Sequence, residues 1–193
     1  MPWEKQFDID ERLERAMRAF WARGYEATSM QDLVAAMGVN RGSLYATYGD
    51  KRSLFLKSLR HYDTEYRIRY LAALERDYDP RQAILAVFEA TVDFSLRAAG
   101  RDGCFLVNTS IELSAHDPEI AEVVAYGLSE TEKFFRRMIR AGHASGDIPA
   151  HIDATATARG LLALLMGLRV LARSRPEKAL LKSAANHAEV LLR

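Results

Sequence analysis

Gly38 to Lys51 reads GVNRGSLYATYGDK. Three glycines, two tyrosines, an arginine and a lysine fall within these fourteen residues, between segments of strong helical periodicity. Upstream, TSMQDLVAAMG (Thr28 to Gly38) carries an apolar stripe of Leu33, Val34 and Met37. Thr28 or Ser29 supplies its N-cap, Asp32 completes a variant capping box with Ser29, and Gly38 stops it. After the turn at Val39, Asn40 is an N-cap for a short helix from Arg41 to about Thr47. Gly49 and Asp50 break the chain again. Asp50 then caps a long helix from Lys51 to about Arg76, with Leu54, Phe55, Leu59, Tyr62 and Tyr66 on its apolar side. Ahead of all this, Ile9, Leu13, Met17, Phe20 and Trp21 recur at helical spacing, in a helix that starts near Asp8 or Asp10 and ends at Gly24. Two short helices parted by a tight glycine turn, with a third helix before them, form a helix-turn-helix.

In such a unit the second helix enters the DNA major groove through its N-terminal residues. The stretch suits that task. Gly42 and Ala46 make a stripe of small residues, Ser43 and Thr47 an adjacent polar one, and Leu44 points toward the core. Arg41 has the reach and fork geometry for guanine O6 and N7, and Ser43 can bond a base edge. Tyr45, Thr47 and Lys51 supply phosphate-binding groups. Lys51 also lies at a helix N-terminus, where backbone N–H groups favour phosphate. Thr28, Ser29 and Tyr48 complete the candidate DNA-facing set. Tyr48 has a second reading as core, packed one turn after Leu44. From Met30 to Arg60, five basic residues stand against two acids, a local charge of +3 in a chain of net charge +1. A local basic face matters more for DNA than the total, although chance alone can produce this imbalance.

Thr28 to Phe55, TSMQDLVAAMGVNRGSLYATYGDKRSLF, resembles the DNA-binding domain of the TetR/AcrR family of bacterial transcriptional regulators. Leu33-Val34, the turn Met37-Gly38-Val39-Asn40, and Gly42, Leu44, Tyr45, Lys51 and Leu54 stand in register with the family pattern. The resemblance covers residues 8 to 60. Thr47 replaces the family's usual histidine and Tyr48 its usual phenylalanine. The resemblance implies a homodimer on a palindromic operator, with repression relieved by a small ligand; some relatives activate instead. It implies that the ligand shifts the long fourth helix, so that the two reading heads lose their spacing.

The rest of the chain excludes several other classes. With 193 residues, 49% hydrophobic and 27% charged, it reads as globular. Proline is scarce and no strand-like alternation is sustained, so an all-α fold is expected. We divide it into a helix-turn-helix DNA-binding domain at 1–50, a connecting long helix at 51–76, and a helical effector-binding and dimerisation domain at 77–193. The N-terminus is charged and shows no signal peptide. The longest uncharged apolar run, Gly160 to Leu168, is nine residues, short of a membrane span. One cysteine, Cys104, excludes an internal disulfide and fits a reducing cytoplasm. No histidine pair has HExxH spacing, and no phosphate-binding glycine loop or serine elbow is present. The sequence therefore carries no enzyme signature and calls for no cofactor. Glu112 and His116 share a helix spacing compatible with a metal, or with a solvated turn.

Beyond the boundary at Asp77 to Gln82, helices are expected at Gln82–Ala99, Phe105–Ser114, from Asp117 through about Ala141, Ala154–Ser174 and Glu177–Leu192. A break falls at Gly100 to Gly103, a loop at Gly142 to Asp153, and Pro176 stands at an N1-like position. Leu161, Leu162, Leu165, Leu168, Leu171, Leu180 and Ala184 form the expected dimer interface, with Gly160 and Gly167 allowing close approach; burial within one subunit is the alternative. A ligand pocket is expected among Phe88, Thr91, Val92, Cys104, Phe105, Asn108, Phe134, Met138 and Leu165. Its content suggests a hydrophobic or aromatic effector, and Asn108, on a buried helix, needs a protein or ligand partner. Cys104, at a helix start, can be a small buried residue or a sensor of oxidants and electrophiles. A helical small-molecule-binding or interaction protein that does not touch DNA is the competing class.

Overall fold

A computed structural model describes residues 2–97, 100 and 102–193, with side chains from Ile9 onward. Among the described residues every regular element is a helix, with no strand. The first three helices are α1 (Pro2–Arg23), α2 (Met30–Met37) and α3 (Arg41–Tyr48). The α1 helix begins ahead of the predicted Asp8 or Asp10, because Pro2 suits a first helical turn and no breaker follows it. The two caps around the turn form as the side chains dictate. Ser29 Oγ accepts from the Asp32 N–H at 3.1 Å while the Ser29 N–H donates to the Asp32 carboxylate at 2.9 Å. Asn40 Oδ1 accepts from the Ser43 N–H at 2.7 Å. Gly38 ends α2 at φ +64°, a left-handed conformation that only glycine adopts cheaply. Arg12 reaches across from α1 and donates to the Met37 and Gly38 carbonyls, which fixes the turn.

Asp50 caps α4 (Lys51–Tyr62) through the Ser53 N–H at 2.7 Å. The single helix expected at 51–76 is continuous, but it contains a π-helical segment (Asp63–Ile68) before α5 (Arg69–Asp77). Within that segment Arg67 and Asp63 form a bidentate ion pair buried on both sides. Each i+4 step along an α-helix drifts by about 40° around the axis. The wider winding removes part of that drift, and Tyr62, Tyr66 and Tyr70 all reach one cavity wall.

The remaining helices are α6 (Pro80–Ser95), α7 (Phe105–Glu112), α8 (Pro118–Ser145), α9 (Ala154–Ser174) and α10 (Lys178–Val190). The α6 helix stops at Ser95, short of the expected end; Ala98 and Ala99, like Arg101 in the expected break, lie outside the described residues. The α7 helix ends two residues early and α8 four residues late. Pro176 precedes the Glu177 N-cap rather than opening α10, because Glu177 is still extended at φ −87°, ψ 117°. The α9 helix is long and apolar enough to cross a bilayer by length and composition alone, which the nine-residue count did not reveal. Here it is a bundle helix, packed on α8 and α10.

Two hydrophobic cores result. One joins Met17, Phe20, Leu33, Leu44 and Phe55 to Phe105, Leu106, Leu113, Ile120 and Val124. The other joins Ile84, Phe88, Phe134, Phe135, Leu161 and Leu181. The reading head thus shares its core with α7 and the start of α8, which are remote in sequence.

A polar joint reinforces that sharing. Arg52 donates to both oxygens of Asp117, at 2.6 and 2.8 Å, and to Glu119 at 3.0 Å. These bonds hold the Asp117 carboxyl down at about 2, against an ordinary 3.8. A depressed folded-state pKa contributes stability that is complete above the ordinary value and disappears as pH falls toward the folded one. The stability gap between the wild type and Asp117→Asn, measured by urea unfolding, is therefore expected to be constant above about pH 4 and to close between about 4 and 2. A gap that persists unchanged at pH 2 would show that the ion pair is not its source.

Candidate nucleic-acid interface and effector cavity

The α3 helix presents one outward face. Arg41, Gly42, Ser43, Tyr45, Ala46 and Thr47 are exposed, and Leu44 is fully buried beneath them. Arg41 lies over the Tyr45 ring at 5.7 Å. At the next helix start, Lys51 Nζ sits 4.3 Å above the Tyr25 ring, and Lys57 Nζ lies 5.6 Å from the Tyr48 ring. Among the described residues, none of Arg41, Lys51 and Lys57 has a carboxylate partner, whereas Arg15, Arg18, Arg23, Arg52 and Arg60 are all ion-paired. Arg41, Lys51 and Lys57 thus form a local group of cations without carboxylate partners around α3. Ser29 is exposed beside this face.

Two members of the expected DNA-facing set face inward. Thr28 is fully buried, and its hydroxyl donates to the Gly24 carbonyl at 2.6 Å, closing the turn after α1. Tyr48 is 4% exposed, and its hydroxyl donates to the Ile9 carbonyl at 2.9 Å. The extra oxygen that distinguishes Tyr48 from phenylalanine thereby ties α3 to α1.

A cavity of about 280 Å³ opens between the head and the helical body. Its walls are Trp21 from α1, Tyr62, Tyr66 and Tyr70 from the long helix, Ala90, Thr91, Phe94 and Ser95 from α6, Gly103 and Cys104 ahead of α7, and Arg169 from α9. Trp21 Nε1 donates to the Gly103 carbonyl at 3.1 Å across its edge. Burial, and for Tyr66 also its bond to Glu14, push Tyr66 and Tyr70 up to about 12, so both are neutral donors near pH 7. Arg169 donates to Cys104 Sγ at 2.9 Å, and the Tyr62 hydroxyl lies 3.5 Å from the same sulfur.

Of the expected pocket residues, only Thr91 and Cys104 line this cavity. Phe88, Val92, Phe134, Met138 and Leu165 are packed in the lower core, and Phe105 in the upper one. Asn108 has a protein partner, donating to the Asp102 carbonyl at 2.7 Å. Trp21, the three tyrosines and Arg169 were missed. The signal available for Arg169 was a lone cation in the run LLALLMGLRVLA.

The expected dimer face is also divided. Leu161, Leu165 and Leu168 point into their own subunit's core. Leu162, Leu171, Leu180 and Ala184 are half-buried, and the outward side of α9 carries Ala163, Gly167 and Val170. Among the described residues no three of His, Cys, Asp and Glu form a metal cluster. Glu112 instead accepts from the Tyr25 and Glu26 N–H groups at 3.2 and 3.0 Å, docking the head on α7.

Comparisons with known proteins agree with this architecture. The sequence model of bacterial regulatory proteins of the tetR family matches residues 13–57, and that of the tetracyclin repressor-like C-terminal domain matches 80–188. The HTH-type transcriptional repressor ComR of Escherichia coli K12 is 32% identical over 88% of this chain and 81% of its own. The HTH-type transcriptional regulator YezE of Bacillus subtilis 168 is 33% identical over 88% of each chain. Among solved structures, cysteine-substituted CifR, a TetR family regulator in complex with a 26-bp operator duplex, superposes with a TM-score of 0.82 at 29% identity, over 93% of this chain and 94% of its own. These relatives are regulators rather than enzymes. The chain belongs to the TetR family of bacterial transcriptional regulators.

Proposed function

We propose that this protein is a cytoplasmic transcriptional repressor that binds a palindromic operator as a homodimer and releases it when a small, largely apolar effector fills the cavity beside Trp21. Residues 1–50 are the reading head, 51–76 the connection, and 77–193 the effector and dimer region. The observation that carries this is the cluster of unpaired cations around the small and polar outer face of α3. In this reading Arg41 and Ser43 meet base edges, Tyr45, Thr47 and Lys51 meet phosphates, and Gly42 lets the backbone approach. The outward side of α9, with α10, is the dimer face. Filling the cavity moves Trp21, and with it α1 and the reading head. A ligand does this only by binding the released state more tightly than the DNA-bound one. Sensing through Cys104 is not favoured, since the thiol is buried behind Tyr62 and Arg169.

Selection of duplexes from a randomised pool tests this. A palindrome is the expected product, and a single unrepeated site would exclude the dimeric reading. On the selected duplex, Arg41→Ala is expected to cost ~1–3 kcal/mol and relax preference at one base pair per half-site, while Lys51→Ala weakens all sequences alike. Equal behaviour of the two variants on matched and scrambled duplexes would overturn these roles.

A further inference from the structure

We infer that the effector is a small aromatic acid whose flat body lies against Trp21, Tyr62, Tyr66 and Phe94 and whose single carboxylate meets Arg169. This rests on the reading of the cavity as the effector site. The walls are aromatic and largely mutually ordered: the Trp21 ring lies 5.0 Å from Tyr62 and 5.6 Å from Tyr66, and Tyr62 stacks on Tyr66 at 5.2 Å. Such a slot takes a planar ring system. At about 280 Å³ it is slightly below the usual range of about 300–1,000 Å³ for ligand pockets, which suits a bicyclic ligand better than a large drug.

The charge is decided by Arg169. A guanidinium is permanently charged, and taking it out of water is costly unless an anion meets it. Arg169 is half-buried in the apolar run of α9, and among the described residues no carboxylate pairs with it. Its polar contact is with the Cys104 sulfur, a weak acceptor that leaves most of its five donors unused. Among the described residues no aspartate or glutamate lines the cavity. An aromatic box without a buried cation attracts cationic ligands through its ring faces. Here Arg169 reverses that preference, and it offers a carboxylate a fork of matching geometry.

The test is calorimetric titration of the full-length protein with three isosteric probes: 2-naphthoate, 2-naphthamide and 2-naphthylmethylammonium. The acid is expected to bind at least about tenfold more tightly than the amide, and the ammonium to show no binding. Arg169→Gln is expected to weaken the acid about 10- to 100-fold and leave the amide unchanged, with Arg169→Lys in between. Absence of acid binding, an amide or ammonium that binds as well as the acid, or an Arg169→Gln protein that holds the acid as tightly as the wild type, would each overturn the inference. If Arg169→Gln does not fold, the wild-type ranking decides alone. The operator duplex is followed in parallel. Acid binding that leaves the duplex bound supports the ligand class and overturns only the effector reading; failure to bind duplex without any probe overturns only the regulator reading.

Discussion

Phe55→Ala is expected to destabilise the protein by ~3–5 kcal/mol, the range for deleting a well-packed aromatic ring. Phe55 is fully buried at the joint between the head and the body. Its ring meets Phe20 at 5.0 Å, Tyr25 at 5.0 Å and Phe105 at 5.4 Å, all edge-to-face. Those partners belong to α1, the turn after it, and α7, so one cavity would loosen three elements at once. Against a total stability of ~5–15 kcal/mol, this is a large fraction. With roughly 2–4 °C per kcal/mol for a chain of this size, the melting temperature should fall by about 6–20 °C. Thermal unfolding monitored by circular dichroism reads it. A loss below about 1 kcal/mol would mean that the surroundings collapse into the gap and that the ring cluster is not the joint.

The same joint explains what the sequence could and could not reveal. The caps were legible because each depends on residues within three positions: Ser29 with Asp32, Asn40 with Ser43, and Asp50 with Ser53. The outward face of α3 was legible for the same reason, since one period fixes Leu44 inward and Thr47 outward. Tyr48 stayed open because its position on the helix permitted both readings; Ile9, which accepts its hydroxyl, lies 39 residues away. The cavity was illegible on principle. Phe88, Phe134 and Leu165 have the spacing of core residues and are core residues, whereas the cavity walls come from α1, the long helix, α6 and α9, brought together only by tertiary packing. The leucines of α9 suggested an interface, but apolar count does not give direction. Leu161, Leu165 and Leu168 face inward, and the smaller side with Ala163 and Gly167 is left outside. Nothing local marks the π-helical segment, which accompanies a buried Asp63–Arg67 pair set between neighbouring helices.

Affinity for the operator duplex is expected to fall at least ~10²-fold between about 50 and 200 mM salt, the loss for about four phosphates neutralised by lysine. The net charge of +1 provides no long-range attraction, so the whole effect must arise locally. Each head offers Lys51, Lys57, the hydroxyls of Tyr45 and Thr47, and the free N–H groups at the start of α4. Two heads on one palindrome place four lysines on phosphates, and these charged contacts, rather than the hydroxyls and N–H groups, release counterions and set the slope. Among the described residues Lys51 and Lys57 are engaged with ring faces and, for Lys57, a long 3.4 Å bond to the Thr47 carbonyl, so DNA displaces no ion pair there to recruit them. Lys51→Ala should therefore reduce the slope of log affinity against log salt by about one unit per head. Arg41→Ala should change the slope less than it changes the sequence preference, because its designated partner is a base edge. Fluorescence anisotropy at four salt concentrations separates the two effects. A loss under tenfold across the range would be incompatible with a phosphate-bound α3 and would return the protein to a helical ligand-binding role without DNA. A steep slope with no palindromic preference would leave phosphate contact intact and remove Arg41 and Ser43 from the reading of sequence.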